Sequence, residues 1–102
     1  MHIQIVTFEL NGLTQAQYEH ACETQFAPAF RDVPGLLTKV WLSDPAANTY
    51  GGVYTWRDRE AFQAYLASPL YQAVATHPNL ANMVSREFSI LEQPTRETRG
   101  IA

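Results

Sequence analysis

The run from His2 to Glu9, HIQIVTFE, puts Ile3, Ile5 and Thr7 on one side of an extended chain and Gln4, Val6 and Phe8 on the other. Successive side chains of a strand point to opposite faces, so this strand is substantially apolar on both. A layer of helices covers only one face of a sheet. Such a strand calls for helices on one side and a second molecule on the other.

At 102 residues the chain is near single-domain size, and one core is expected. A core of this size buries roughly two-thirds of the surface the unfolded chain exposes, so pairing with a second copy is a plausible further source of stability. Charged residues make up only 17% of the chain, below the average for a globular domain, which fits a surface partly given over to an interface.

The remaining elements follow from turn and cap signals. Asn11-Gly12 turns the chain, and Thr14 with Gln17 has the spacing of a capping box, so a helix is expected over about 15–31. Tyr18, Cys22, Phe26, Ala29 and Val33 would form its inward stripe, with a kink at Pro28. Asp32-Val-Pro-Gly35 reverses the chain into a strand over 36–42, with Leu37, Lys39 and Trp41 on one face. A third strand over 49–56 places Tyr50, Gly52, Tyr54 and Trp56 together. Its Gly51-Gly52 pair reads either as a bulge or close-packing site or as the floor of a pocket. Asp58 caps a helix over 59–66, and Ser68-Pro69 restarts it until Pro78. A last strand is expected over 82–91, within a domain of residues 1–92, followed by a loose polar tail over 93–102.

The order β-α-β-β-α-β gives an α+β chain of the ferredoxin-like type, with both helices on one side of a four-stranded antiparallel sheet. The other side of the sheet keeps aliphatic and aromatic residues, so a homodimer through that face is expected.

Several functions are disfavoured. Seven basic against ten acidic residues, with no Lys/Arg run, offer no surface for a nucleic-acid backbone. Residues 1–8 hold no cationic segment leading into a long apolar run, and no 18-residue apolar segment occurs, so a cytoplasmic protein without a membrane partner is expected. Cys22, the single cysteine, reads as a small buried hydrophobe. His2, His20 and His77 are scattered without metal-ligand spacing, and the paired glycines lie inside a strand instead of opening a helix. No metal or other cofactor is therefore expected.

The turn and strand Asp32-Val-Pro-Gly-Leu-Leu-Thr-Lys-Val-Trp41, the strand Gly51-Gly-Val-Tyr-Thr-Trp56 and the helix Arg59-Glu-Ala-Phe-Gln-Ala-Tyr-Leu-Ala-Ser-Pro69 resemble the dimeric α/β-barrel superfamily. Within it the chain is most similar to the small YdhR-like monooxygenases, related to antibiotic-biosynthesis monooxygenases, over about residues 2–91. The resemblance implies two sheets facing one another around a barrel whose interior holds a small aromatic molecule.

It also implies roles for residues. Trp56 stands where haem-degrading relatives carry a cavity-facing tryptophan; the alternative is a core aromatic. The haem-ligating histidine of those relatives corresponds to about Ala75, whereas His77 lies two positions later, roughly 200° around a helix. No counterpart of their strand-one asparagine stands near Thr7, so haem degradation is not expected. Where antibiotic-type members carry a histidine on the second helix, this chain has Tyr65 nearby, able to donate to an oxyanion but a poor base.

The expected function is that of a cofactor-independent monooxygenase acting on a small electron-rich aromatic or polyketide-like compound. His77, Tyr65 and Arg86 are the candidate catalytic residues, and Trp56, Tyr54, Trp41 and Lys39 the candidate substrate-binding ones. The alternatives are a non-enzymatic small-molecule-binding or structural dimer, and a lyase or isomerase of the same superfamily.

Overall fold

The computed structural model of the chain describes residues 1–101. Strands β1 (His2–Leu10), β2 (Leu36–Asp44), β3 (Thr49–Trp56) and β4 (Leu80–Ser89) form one antiparallel sheet in the order β2-β3-β1-β4. Between β1 and β2 lie α1 (Gln15–Ala21), a π-helical turn (Cys22–Phe26) and α2 (Ala27–Arg31); between β3 and β4 lie α3 (Arg59–Leu66) and α4 (Pro69–Ala75). The expected ferredoxin-like α+β order is the observed one.

The caps sit where the sequence puts them. Thr14 Oγ1 accepts from the Gln17 amide at 3.1 Å while Gln17 Oε1 accepts from the Thr14 amide at 2.9 Å, closing the box that starts α1. Asp58 Oδ1 accepts from the Ala61 amide at 2.8 Å and starts α3. Ser68 Oγ donates to the Tyr65 carbonyl at 2.6 Å and accepts from the Tyr71 amide at 3.2 Å, tying the end of α3 to the start of α4.

The first helical stretch differs from expectation in one respect. Its irregularity is the π turn just ahead of Pro28: the Ala27 amide reaches back five residues to the Cys22 carbonyl. A proline ring clashes with the turn before it, and one extra residue opens that turn. The insertion also advances the inward stripe by one residue, so Phe30 is buried and Ala29 is exposed.

The sheet divides its residues by parity. Transverse rows on the helix side are Leu36–Trp56–His2–Ser89, Lys39–Tyr54–Gln4–Glu87 and Trp41–Gly52–Val6–Ser85. A bulge at Leu37 puts Leu36 in place of Leu37 on this face and leaves Leu37 exposed. A second bulge, with Asn82 at φ 54°, lies where β4 meets Phe8. The opposite face carries Val40–Val53–Ile5–Arg86 and Thr38–Thr55–Ile3–Phe88, and on it Val40, Val84 and Phe88 are exposed.

The last strand starts and ends two residues earlier than expected. Beyond it, α5 (Glu92–Glu97) occupies part of the segment read as a loose tail. Among the described residues no helix is long and apolar enough to cross a membrane.

Candidate functional site

The core between sheet and helices is built largely of aromatic rings. Trp56 is fully buried and stacks on Tyr65, with ring centroids 5.0 Å apart, and on Tyr54 at 6.0 Å. Phe30 of α2 meets Tyr54, Tyr65 and Trp41 at 5.7, 5.7 and 6.0 Å. All these rings lie in the helix–sheet layer, so Trp56 and Tyr54 point away from the face where a sheet-to-sheet barrel would close.

Lys39, the only lysine in the chain, points into this layer from β2. Its Nζ lies 3.4 Å from the Phe30 ring centroid, 3.5 Å from that of Trp41 and 4.5 Å from that of Tyr54. Gly52 makes the position possible: a Cβ there would come within 2.9 Å of Lys39 Cε and 3.2 Å of Tyr54 Cε1. Gly51 meets a different constraint, because at φ 149° a Cβ would collide with the Val6 carbonyl oxygen. The glycine pair thus combines a close strand approach with clearance for the lysine.

Among the described residues no carboxylate forms an ion pair with Lys39. Burial pushes its amine down to about 7, since an ammonium stripped of water without a counter-ion is costly. The ring faces act the other way, because their quadrupoles favour the cation. The result is an amine that gains and loses a proton near neutral pH.

Two open clefts reach this cage along the β2 edge and share Trp41 and Ala27. One, of about 270 Å³, is lined by Phe30, Leu36, Thr38, Lys39 and Trp41 with Arg31 at its rim. The other, of about 250 Å³, runs beneath the π turn past Tyr18, Cys22, Trp41 and Tyr50, with Glu19 and Glu23 at its rim. Behind Lys39 the remaining space among Phe8, Phe26, Tyr54 and Val74 is about 20 Å³, room for one water.

Burial raises the pKa of the Tyr18, Tyr54 and Tyr65 hydroxyls above the usual phenol value, so at neutral pH these groups are protonated hydrogen-bond donors. Burial likewise pushes the Cys22 thiol up.

The sequence-derived residues separate into groups. Lys39, Trp41 and Tyr54 converge, with Trp56 behind Tyr54 and Tyr65 against both. His77 lies at the α4–β4 turn, where its Nδ1 accepts from the Asn79 amide at 3.2 Å and its ring meets Phe26 edge-on at 6.3 Å. Arg86 is on the opposite face of the sheet, its guanidinium 5.4 Å above the Phe88 ring. The three catalytic candidates therefore do not meet around a common point.

Sequence reasoning missed Phe30, because the π turn moved it into the place given to Ala29. Tyr18 and Cys22 were read only as a packing stripe; that they also line a cleft needed the gap between helix and strand. Among the described residues no cluster of three or more His, Cys, Asp or Glu side chains is placed to hold a metal.

The same fold recurs in solved structures. SnoaB, a cofactor-independent oxygenase from Streptomyces nogalater, is similar with a TM-score of 0.67 and 20% identity, over 89% of this chain and 94% of that one. A monooxygenase from the gene ActVA-Orf6 of Streptomyces coelicolor, in complex with the ligand nanaomycin D, gives a TM-score of 0.67 and 20% identity, over 87% and 86%. A single-site mutant of MhuD, with two manganese protoporphyrin IX bound per active site, gives 0.66 and 24%, over 89% and 95%. No curated protein matches the chain. Residues 3–101 match one family along nearly the whole length, and the chain belongs to that family, described as "Putative mono-oxygenase ydhR".

Proposed function

We propose that this chain is a homodimeric, cofactor-independent monooxygenase that takes a small electron-rich aromatic or polyketide-like compound into the helix–sheet clefts at the β2 edge. The observation that carries the reading is the amine of Lys39, held among Phe30, Trp41 and Tyr54 without a carboxylate partner. Family membership and the likeness to oxygenases support the reaction class.

In this reading the ring of a phenol or anthrone packs on Trp41, and neutral Lys39 accepts its acidic proton. The resulting ammonium stays beside the substrate oxyanion, and Tyr54 and Tyr65 remain protonated as donors nearby. The electron-rich anion passes one electron to dioxygen, and the substrate radical and superoxide combine. Loss of water from the peroxide leaves a new carbonyl, so one oxygen atom enters the product and the other becomes water. Tyr65 and Trp56 hold Tyr54 in place, and His77 acts through Phe26 on the inner wall of the cage. Arg86 belongs to the dimer face.

Oxygen uptake with anthrone and quinol substrates tests this directly, with quinone formation followed by absorbance. Uptake should fall at least ~100-fold in Lys39→Met, the range typical for loss of a positioned proton acceptor. Absence of uptake and product across a broad panel would sink the reading.

One observation favours a second reading, a non-enzymatic binding dimer. Only about 20 Å³ remains behind Lys39, so a ring is held in the open clefts in front of the amine and is not enclosed around it. Ligand binding without oxygen consumption is the outcome that reading requires.

A further inference from the structure

We propose that Lys39 is also a carbonyl-reactive amine, which captures an aryl aldehyde or ketone entering the β2-edge cleft as an imine. The three ring faces hold the amine but supply no counter-ion, so burial weighs on the ammonium and not on the neutral amine, an effect the ring quadrupoles offset only in part. The lysine stem lines an open cleft of about 270 Å³ whose Phe30, Leu36 and Trp41 walls suit a flat apolar ring. Gly52 beneath the stem supplies clearance that any side chain would remove, and Lys39 itself lines the cleft a carbonyl compound would enter.

Other titratable or charged groups face the amine from each packed element. They are Tyr18 and Cys22 from α1 and the π turn, Arg31 from α2 at the cleft rim, and Tyr54 from β3. Glu19 and Glu23 stand at the rim of the neighbouring cleft, and among the described residues neither forms an ion pair with the amine. The downward shift of the Lys39 amine supports its availability as a nucleophile, which a lysine becomes only in its neutral form.

The step balances without an oxidant or reductant. The nitrogen lone pair adds to the carbonyl carbon, forming a C–N bond, and a proton moves from nitrogen to the former carbonyl oxygen. The carbinolamine then loses that oxygen as water, and the C=N bond forms. The net reaction is amine plus carbonyl to imine plus water. It needs no dioxygen and does not rest on the oxygenase reading.

The test uses the full chain under nitrogen with benzaldehyde as probe and cyanoborohydride to trap the imine, read by intact mass and peptide mapping. A sole lysine makes the map unambiguous, because the only other amine is the N-terminal one. At pH 7 the folded chain should form an adduct on the peptide containing Lys39, beside any on the N-terminal amine, at least ~100-fold faster than the same lysine in urea-unfolded chain. Lys39→Arg should abolish it, while Trp41→Ala, which keeps the amine but opens the cage, should lower the folded-to-unfolded ratio at least ~10-fold. Equal rates in folded and unfolded chain, or an adduct confined to the N-terminal amine, would overturn the proposal. Anthrone oxidation can fail while the adduct forms, or the reverse, so the two ideas are separable.

Discussion

The indole Nε1 of Trp56 donates to Oε1 of Gln4 across 3.1 Å, and both side chains are fully buried. Gln4 in turn donates from Nε2 to Ser85 Oγ at 3.0 Å, so one amide joins β3, β1 and β4 beneath the helices. Replacing Gln4 with Met keeps the volume but strands the indole donor in an apolar layer. The expected loss is about 1–3 kcal/mol of unfolding free energy, the cost of an unsatisfied buried group, measured by urea denaturation. A change below ~0.5 kcal/mol would mean that the indole finds another acceptor.

Lys39 makes stability depend on pH with a definite sign. Its folded value of about 7 lies below the ordinary lysine value, so between the two the unfolded chain binds a proton that the folded chain does not. Stability should therefore rise with pH from neutrality upward, with a slope of at most ~1.4 kcal/mol per unit. Above ~10 the trend should reverse, because the buried tyrosines ionise more readily once unfolded. The comparison to make is wild type against Lys39→Met in urea melts from pH 6 to 9.5. A variant with the same slope as wild type would remove Lys39 as the source.

The two adjacent glycines should respond differently to alanine. At Gly51 a Cβ would overlap the Val6 carbonyl oxygen, a contact with rigid backbone. Gly51→Ala should cost about 3 kcal/mol or more, or prevent folding. At Gly52 the nearest atom is Cε of a flexible side chain, so Gly52→Ala should cost about 1 kcal/mol while displacing Lys39. Thermal melts and the lysine's reactivity toward benzaldehyde report the two effects separately.

The outer sheet face should hold a second copy. Val40, Val84 and Phe88 stand 58%, 52% and 41% exposed there, flanking Ile3, Ile5 and Val53. A contiguous exposed apolar patch on a small domain marks an interaction site. Sedimentation of wild type at micromolar concentration should give a dimer, and Val84→Arg should shift it toward monomer by at least ~10-fold in Kd. A wild-type monomer under those conditions would rule this partner out.

The fold was legible because its signals are local. Thr14 with Gln17, Asp58, and Ser68-Pro69 mark helix starts through side chains that reach their own backbone, and alternation along β1 and β3 fixes which residues share a face. The chemistry was less legible. Lys39 showed as a cation on a strand, but its cage needed Phe30, and the residue at which a helix turns inward shifts when a π turn inserts one position. Arg86 and Lys39 both looked like cations on barrel strands, and only the pairing of Ile5 with Arg86 and of Tyr54 with Lys39 puts them on opposite sides.

The parity of β1 has one more consequence. Its even-numbered residues anchor the protomer's interior, and its odd-numbered ones meet whatever covers the outer face. Substitutions at Ile3 or Ile5 can therefore retune self-association while the lysine's surroundings stay as they are, and changes at Gln4 or Val6 can reshape those surroundings while leaving the partner's footprint alone. Assembly and chemistry are thus written on alternate letters of one strand, free to evolve separately.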